Sequence, residues 1–249
     1  MSYPQLQMLI AGEWTNGTSG VTENVICPAD GTVLGELPHA SKEDLDDALN
    51  SSFEGFNKWR SETPLNRQSI LEKAAKILER EFEKNSENLT REMGKPLVEA
   101  KIEMQVAIDL LRWYGEEGKR VYGRIIPSRI PNMEHEARKV PVGPVLAFVA
   151  WNFPATNVMR KVAGALAAGC SITIKPSEET PATAIAIGKA LMEAGLPAGV
   201  LNIVFGVPSE VSEHLLASPI PRKLSFTGSV PVGIHPVSYT HLTLPTISD

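Results

Sequence analysis

Four short apolar runs, each closed by a polar turn, decide the reading of this chain: VLAFVAWNFP (145–154), SITIKPSEETP (171–181), VLNIVFG (200–206) and RKLSFTGS (222–229). The apolar part of each run is continuous, as in a strand buried on both faces, whereas a half-exposed strand would alternate. Helical spacing fills the gaps, at about 155–168, 181–194 and 209–217. Three strand–helix–strand crossovers of this length specify an α/β fold built on a parallel sheet with flanking helices.

Such a sheet takes ligands beyond the carboxyl ends of its strands, where helix N-termini turn unpaired N–H groups toward anions. The polar turns all fall on that edge: Trp151-Asn152-Phe153-Pro154, Lys175-Pro176-Ser177-Glu178, Phe205-Gly206 and Thr227-Gly228-Ser229. A lysine and a glutamate fixed after one strand could hold a ribose, the ammonium donating to hydroxyl oxygens and the carboxylate accepting from hydroxyl hydrogens. Gly228-Ser229 at a helix start would let a pyrophosphate approach the backbone. The Asn152 amide could donate to a developing oxyanion. Each motif also has a plainer reading. Trp151 and Phe153 suit a core, Asn152 could cap a helix, and Lys175-Pro176 could be a loop exit. Four on one edge favour a site. Neither G-x-G-x-x-G nor a Walker A string is present.

Outward toward the amino terminus, residues 8 to 37 read as short strands, with Asn16-Gly17 and Asp30-Gly31 as hairpin turns. Ser41 and Asp44 form a capping box for a first helix. Thr63-Pro64 opens a second, and a third stops at Gly94-Lys95-Pro96. A fourth covers about 97–117, making a helical layer. Residues 122–140, YGRIIPSRIPNMEHEARKV, read as a hairpin that leaves the body. After Gly233 the sequence HPVSYTHLTLPTISD breaks the alternation, because its prolines and β-branched residues suit no helix.

Composition excludes several classes. With 24 basic and 29 acidic residues the net charge is -5, which argues against nucleic-acid binding. No run reaches the roughly 18 apolar residues of a membrane span, and the first residues lack a secretory signal. A cytoplasmic protein is expected. Cys27 and Cys170 suit buried, inert positions, and the five histidines show no metal spacing.

The strings WNFP, ALAAGC-SITIKPSEETP, LNIVFG and LSFTGSVPVG, in this order, resemble the aldehyde dehydrogenase superfamily, as does the opening MLIAGEW…CPADGTVLGELP. The likeness spans about residues 5 to 233 and is nearest to the succinate-semialdehyde dehydrogenase-like branch. It implies a Rossmann-like cofactor-binding portion (1–121 and 141–233), an oligomerisation arm (122–140) and a non-native tail (234–249). The family's catalytic domain is not represented. By this resemblance Asn152 matches the amide that stabilises the thiohemiacetal oxyanion. Lys175 and Glu178 match the ribose pair, and Gly228 and Ser229 the pyrophosphate contact. Trp151 lines the cofactor cleft, and Val149, Ala150, Ser177, Gly206, Phe226, Thr227 and Val232 complete the cofactor-binding set. Ala150 stands where the family commonly has proline. The implied cofactor is NAD, since a carboxylate at 178 repels a 2′-phosphate, although relatives with glutamate also accept NADP. The implied substrate is a small aldehyde, the full-length form a homodimer or homotetramer. The family's nucleophile and general-base strings, G-Q-x-C and E-L-G-G, do not occur in the chain, so the chain alone is expected to be inactive. The rival expectation is a complete, non-catalytic dinucleotide-binding or interaction module.

Overall fold

The computed structural model describes residues 3–230 and Gly233; Val232 and the tail 234–249 lie outside the described residues. Two antiparallel ribbons begin the chain: β1 (Met8–Ile10) with β2 (Glu13–Thr15), then β3 (Thr22–Ile26) with β4 (Val33–Pro38). Four helices follow: α1 (Lys42–Trp59), α2 (Pro64–Arg80), α3 (Phe82–Met93) and α4 (Leu97–Gly118). The expected caps are in place. Ser41 and Asp44 cap each other across the first turn of α1, and Thr63 accepts from Asn66 N at the start of α2. Gly94 ends α3 at φ 84°, which glycine adopts without strain. A hairpin, β5 (Arg124–Pro127) with β6 (Glu134–Ala137), pairs only with itself among the described residues, and all its strand residues are exposed.

The alternating half follows the sequence closely: β7 (Val145–Phe148), α5 (Pro154–Ala167), β8 (Ile172–Lys175), α6 (Pro181–Glu193), β9 (Leu201–Ile203), α7 (Pro208–Ala217) and β10 (Lys223–Phe226). Every residue of β7, β8 and β9 is buried, as their unbroken apolar runs require, but β10, expected to be buried like them, lies at the sheet edge with Lys223 exposed and the other three residues half-buried. The sheet order is β10-β7-β8-β9-β1-β2, with the three pairings from β10 to β9 parallel in register Lys223↔Val145, Val145↔Ile172 and Ile172↔Leu201. Helices α5 and α6 carry the chain from β7 to β9 and are backed by α2, α3 and α4. A right-handed return to β10 sends α7 over the opposite face, where it lies beside α1.

A further expectation needs correction. The first ribbon turns at Ala11-Gly12, both at positive φ (54° and 89°), whereas Asn16-Gly17 merely leaves β2. The reason is tertiary. The buried Asn202 side chain accepts from Ala11 N at 2.9 Å and donates to the Ala48 and Gly199 carbonyls at 3.2 Å. That network fixes the turn against α1 and β9. The same network seats β1 beside β9, with which it pairs antiparallel through Leu9↔Ile203, so the sheet is mixed at this edge.

Neither α5 nor α6 receives a cap from its own preceding residues. Their first free amides are instead taken by buried glutamates of the helical layer. Glu92 accepts from Ala182 N (2.8 Å), Thr183 N (3.0 Å) and the Tyr3 hydroxyl (2.7 Å) at the start of α6. Burial pushes its carboxyl up to about 7, although the four donors around it favour the ionised form. In the unfolded chain this carboxyl titrates near 4.5. The folded state thus holds the extra proton between those values, and the stabilisation present below 4.5 is lost as pH rises through about 7. Urea melts of wild type and Glu92→Gln at pH 5 and pH 8 should show that the variant loses part of this decline. Identical slopes would refute the assignment.

Candidate functional site

The sheet order itself locates a crevice. The chain winds from β7 through β8 to β9, then crosses back to place β10 on the other flank of β7. Where winding reverses, the loops after the two adjacent strands diverge and leave an opening at the carboxyl ends. A cavity of about 770 Å³ occupies that position. Val149, Ala150 and Trp151 form its wall after β7, Lys175, Ser177 and Glu178 the wall after β8, and Phe226, Thr227, Gly228 and Ser229 the wall after β10. A second cavity of equal volume, between α1, α7 and the amino-terminal ribbons, gathers none of these residues.

Lys175 is 6% exposed and Glu178 15%, and the Lys175 ammonium donates to the Glu178 carboxylate. It also donates to the Pro176 carbonyl at 3.3 Å. Burial raises the Glu178 carboxyl above its ordinary value, and Lys175 partly offsets the rise. The pair is therefore a polar end to a largely apolar cleft, with hydrogen-bonding capacity left on both partners. Gly228 lies flat against the ring of Phe226. A Cβ there would meet Phe226 Cζ at 2.5 Å, so the residue type sets how closely this turn can be approached.

Asn152 does not line the cavity and does not cap α5; Phe153 occupies the cap position without a side-chain bond. The Asn152 side chain is exposed and accepts from Asn157 Nδ2 at 3.3 Å, which leaves its own NH₂ with no partner among the described residues. Gly206, at φ 142°, packs against Val211 where the chain bends into α7, outside the cavity.

The structure adds residues that strand-end reasoning missed. Ser209, Ser212, Glu213 and Leu216 of α7 close the cavity, and nothing in a short amphipathic helix marks which face meets a cleft. Lys161 of α5 donates to Thr227 Oγ1 at 2.7 Å and to Ser225 Oγ at 3.3 Å, tying α5 to the end of β10. Burial lowers its ammonium, and neighbouring Arg160 adds to that shift. The signal available was the adjacent pair Arg160-Lys161 inside an otherwise apolar helix. Cys170 and Cys27 are buried, as expected. Among the described residues no group of His, Cys, Asp or Glu is placed to hold a metal, and no helix is long and apolar enough to cross a membrane.

These features define a doubly wound α/β protein with a charged, half-enclosed crevice at its switch point. The chain belongs to the aldehyde dehydrogenase family, whose model matches residues 14–244, a range that runs past Gly233. It is 48% identical over 92% of its length to a 4-(hydroxymethyl)benzenesulfonate dehydrogenase of Comamonas testosteroni, covering 48% of that protein. With an NADP(+) succinate-semialdehyde dehydrogenase of Escherichia coli it shares 38% identity over 91% of the chain and 47% of the relative. A crystal structure of succinate-semialdehyde dehydrogenase from Burkholderia pseudomallei superposes with TM-score 0.94 at 38% identity, over 96% of this chain and 50% of that one. The chain thus spans about half the length of the relatives it matches.

Proposed function

We propose that this chain is the cofactor-binding portion of an NAD(P)-dependent aldehyde dehydrogenase that oxidises an aldehyde to a carboxylate. The observation that carries the reading is the buried Lys175–Glu178 pair at the switch-point cavity, in a chain of this family. Lys175 and Glu178 hold the adenosine ribose through its hydroxyls. The turn at Gly228-Ser229 receives the pyrophosphate, and Trp151 with Phe226 supplies apolar walls. When bound, the nicotinamide supplies the two-electron acceptor. Asn152 offers its unpartnered amide to oxygen that gains charge as the aldehyde carbon is attacked. The carboxylate of Glu178 favours NAD over NADP by repulsion of a 2′-phosphate. The hairpin 122–140, exposed along both strands and carrying Ile125 and Ile126 outward, is the oligomerisation arm.

The substrate is an aldehyde with an anionic group remote from the carbonyl. Both curated relatives named above carry an anionic substrate in their names, one the alcohol 4-(hydroxymethyl)benzenesulfonate and the other the semialdehyde of a dicarboxylic acid. In this chain Arg160 opens onto a groove of about 390 Å³ lined also by Lys95, Glu99, Glu103, Val106 and Phe153; Glu103 is paired with Lys95, and Arg160 forms no ion pair among the described residues.

Because the strings G-Q-x-C and E-L-G-G are absent from these 249 residues, the chain alone binds cofactor without turning aldehyde over. Calorimetry of the purified chain should find saturable NAD binding, weaker NADP binding, and a narrowed preference in Glu178→Gln. A parallel titration with benzenesulfonate should find a weak site that Arg160→Gln removes. Steady NADH formation from semialdehydes, abolished by Cys170→Ala, would overturn the reading, as would the absence of NAD binding by a folded sample.

A further inference from the structure

Asn152 is a residue type that caps helices, placed two residues before the first turn of α5, yet its side chain caps no backbone amide there and accepts only from Asn157 Nδ2 among the described residues. The local chain cannot supply the cap. Phe153 has no polar side chain, and Pro154 at the first helical position has no N–H. The next two amides, Ala155 N and Thr156 N, both donate to Glu103 Oε1, at 2.8 and 3.1 Å, from the middle of α4. A remote carboxylate thus does the work that would otherwise draw in the asparagine.

Glu103 is 3% exposed, and its other oxygen accepts from the Lys95 ammonium, itself 7% exposed. Lys95 also donates to the Asn152 carbonyl at 3.4 Å and sits 4.4 Å from the centre of the Phe153 ring, within reach of a cation–π contact. The neighbouring helix shows that capping by a buried glutamate does not require such a lysine. At the start of α6, Glu92 does the same work with Tyr3 and Thr183 as its further partners. The additional contacts of Lys95 all go to the turn that carries Asn152.

We propose that Lys95 and Glu103 are positioning residues. Together they clamp the Trp151–Pro154 turn and so hold the Asn152 amide outward, next to the Trp151 wall of the cleft. The proposal rests on the reading of Asn152 given above. Its occupants are all in this chain: Glu103 fixes the start of α5, and with it Asn157, which holds the Asn152 oxygen. Lys95 fixes the Asn152 carbonyl and the ring of Phe153.

The deciding variant is the double substitution Lys95→Met/Glu103→Gln. It keeps a carbonyl to accept from Ala155 and Thr156, and it leaves no buried charge unpaired, so the helix cap and the fold are retained. Hydrogen exchange should then remain within about threefold of wild type at Ala155 and Thr156. At Asn157, whose N–H donates to the Phe153 carbonyl at 2.8 Å, it should accelerate by about tenfold or more, because nothing anchors the turn that carries that carbonyl. With fluorotryptophan labelling, the Trp151 resonance should shift or broaden while those of Trp14, Trp59 and Trp113 stay in place. The single variant Glu103→Gln should be less stable than the double variant, since it strands the Lys95 charge. An unmoved Trp151 resonance and unchanged exchange at Asn157 in the folded double variant would reduce the pair to a structural role and overturn the proposal. Failure of the Asn152 reading would look different: Asn152→Ala in the full-length enzyme would leave turnover intact without altering either signal.

Discussion

Replacing Lys175 by alanine is expected to weaken NAD binding by roughly ten- to a hundredfold, the loss of one charge-assisted hydrogen bond worth about 1.5–3 kcal/mol. Glu178→Ala should fall in the same range. The two are not additive, because each removal also strands its partner in a nearly buried position. The pair predicts a pH signature as well. Burial raises the Glu178 carboxyl above its ordinary value. A ribose hydroxyl donates to the carboxylate, not to the acid, so affinity should fall as pH drops and should do so above pH 4.5. Glu178→Gln should flatten that dependence. Calorimetry at several pH values reads both effects. An unchanged affinity in both alanine variants would remove the ribose assignment and leave the cavity without a defined polar end.

The largest expected effect on stability is at Trp59. Its ring is wholly buried at the end of α1, and Nε1 donates to the Leu166 carbonyl at 2.9 Å near the end of α5. Trp59→Ala removes the largest fully buried side chain and leaves that carbonyl without its donor. The expected loss is about 3–5 kcal/mol, or roughly 6–20 °C in melting temperature for a chain of this size. Trp59→Phe retains most of the volume and should lose about 1–3 kcal/mol, chiefly through the stranded carbonyl. Because Trp59 packs near the opposite ends of the strands from the cleft, NAD affinity of the remaining folded protein should be unchanged. Equal melting temperatures for alanine and phenylalanine variants would show that volume at this position does not matter.

Much of the site was legible because strand-end chemistry is local in sequence. Lys175 ends the buried strand β8 and Glu178 lies three residues on, and Trp151, Thr227, Gly228 and Ser229 each lie within three residues of the end of β7 or β10. The wall made by α7 was not legible. Ser209, Ser212 and Leu216 reach the cavity only because β10 returns to the far flank of β7 and carries α7 across the opposite face. Asn152 shows the limit of local reasoning from the other side. Its residue type and position suggest a cap, and the bond it would have made is taken by Glu103 from 52 residues away.

The sequence by itself determined the strands, the helices and the parallel winding of residues 141 to 226, since continuous apolar runs and helical spacing are one-dimensional patterns with few packed solutions. It also determined the caps of α1, α2 and α3, which involve residues four or fewer positions apart. Only the tertiary structure decided that β1 joins β9, that the first ribbon turns at Ala11-Gly12, and that Glu92 and Glu103 cap α6 and α5. Those choices are made by buried polar groups that must find partners across long separations. Burial leaves them no water to bond, and sequence spacing does not say which partner will be within reach.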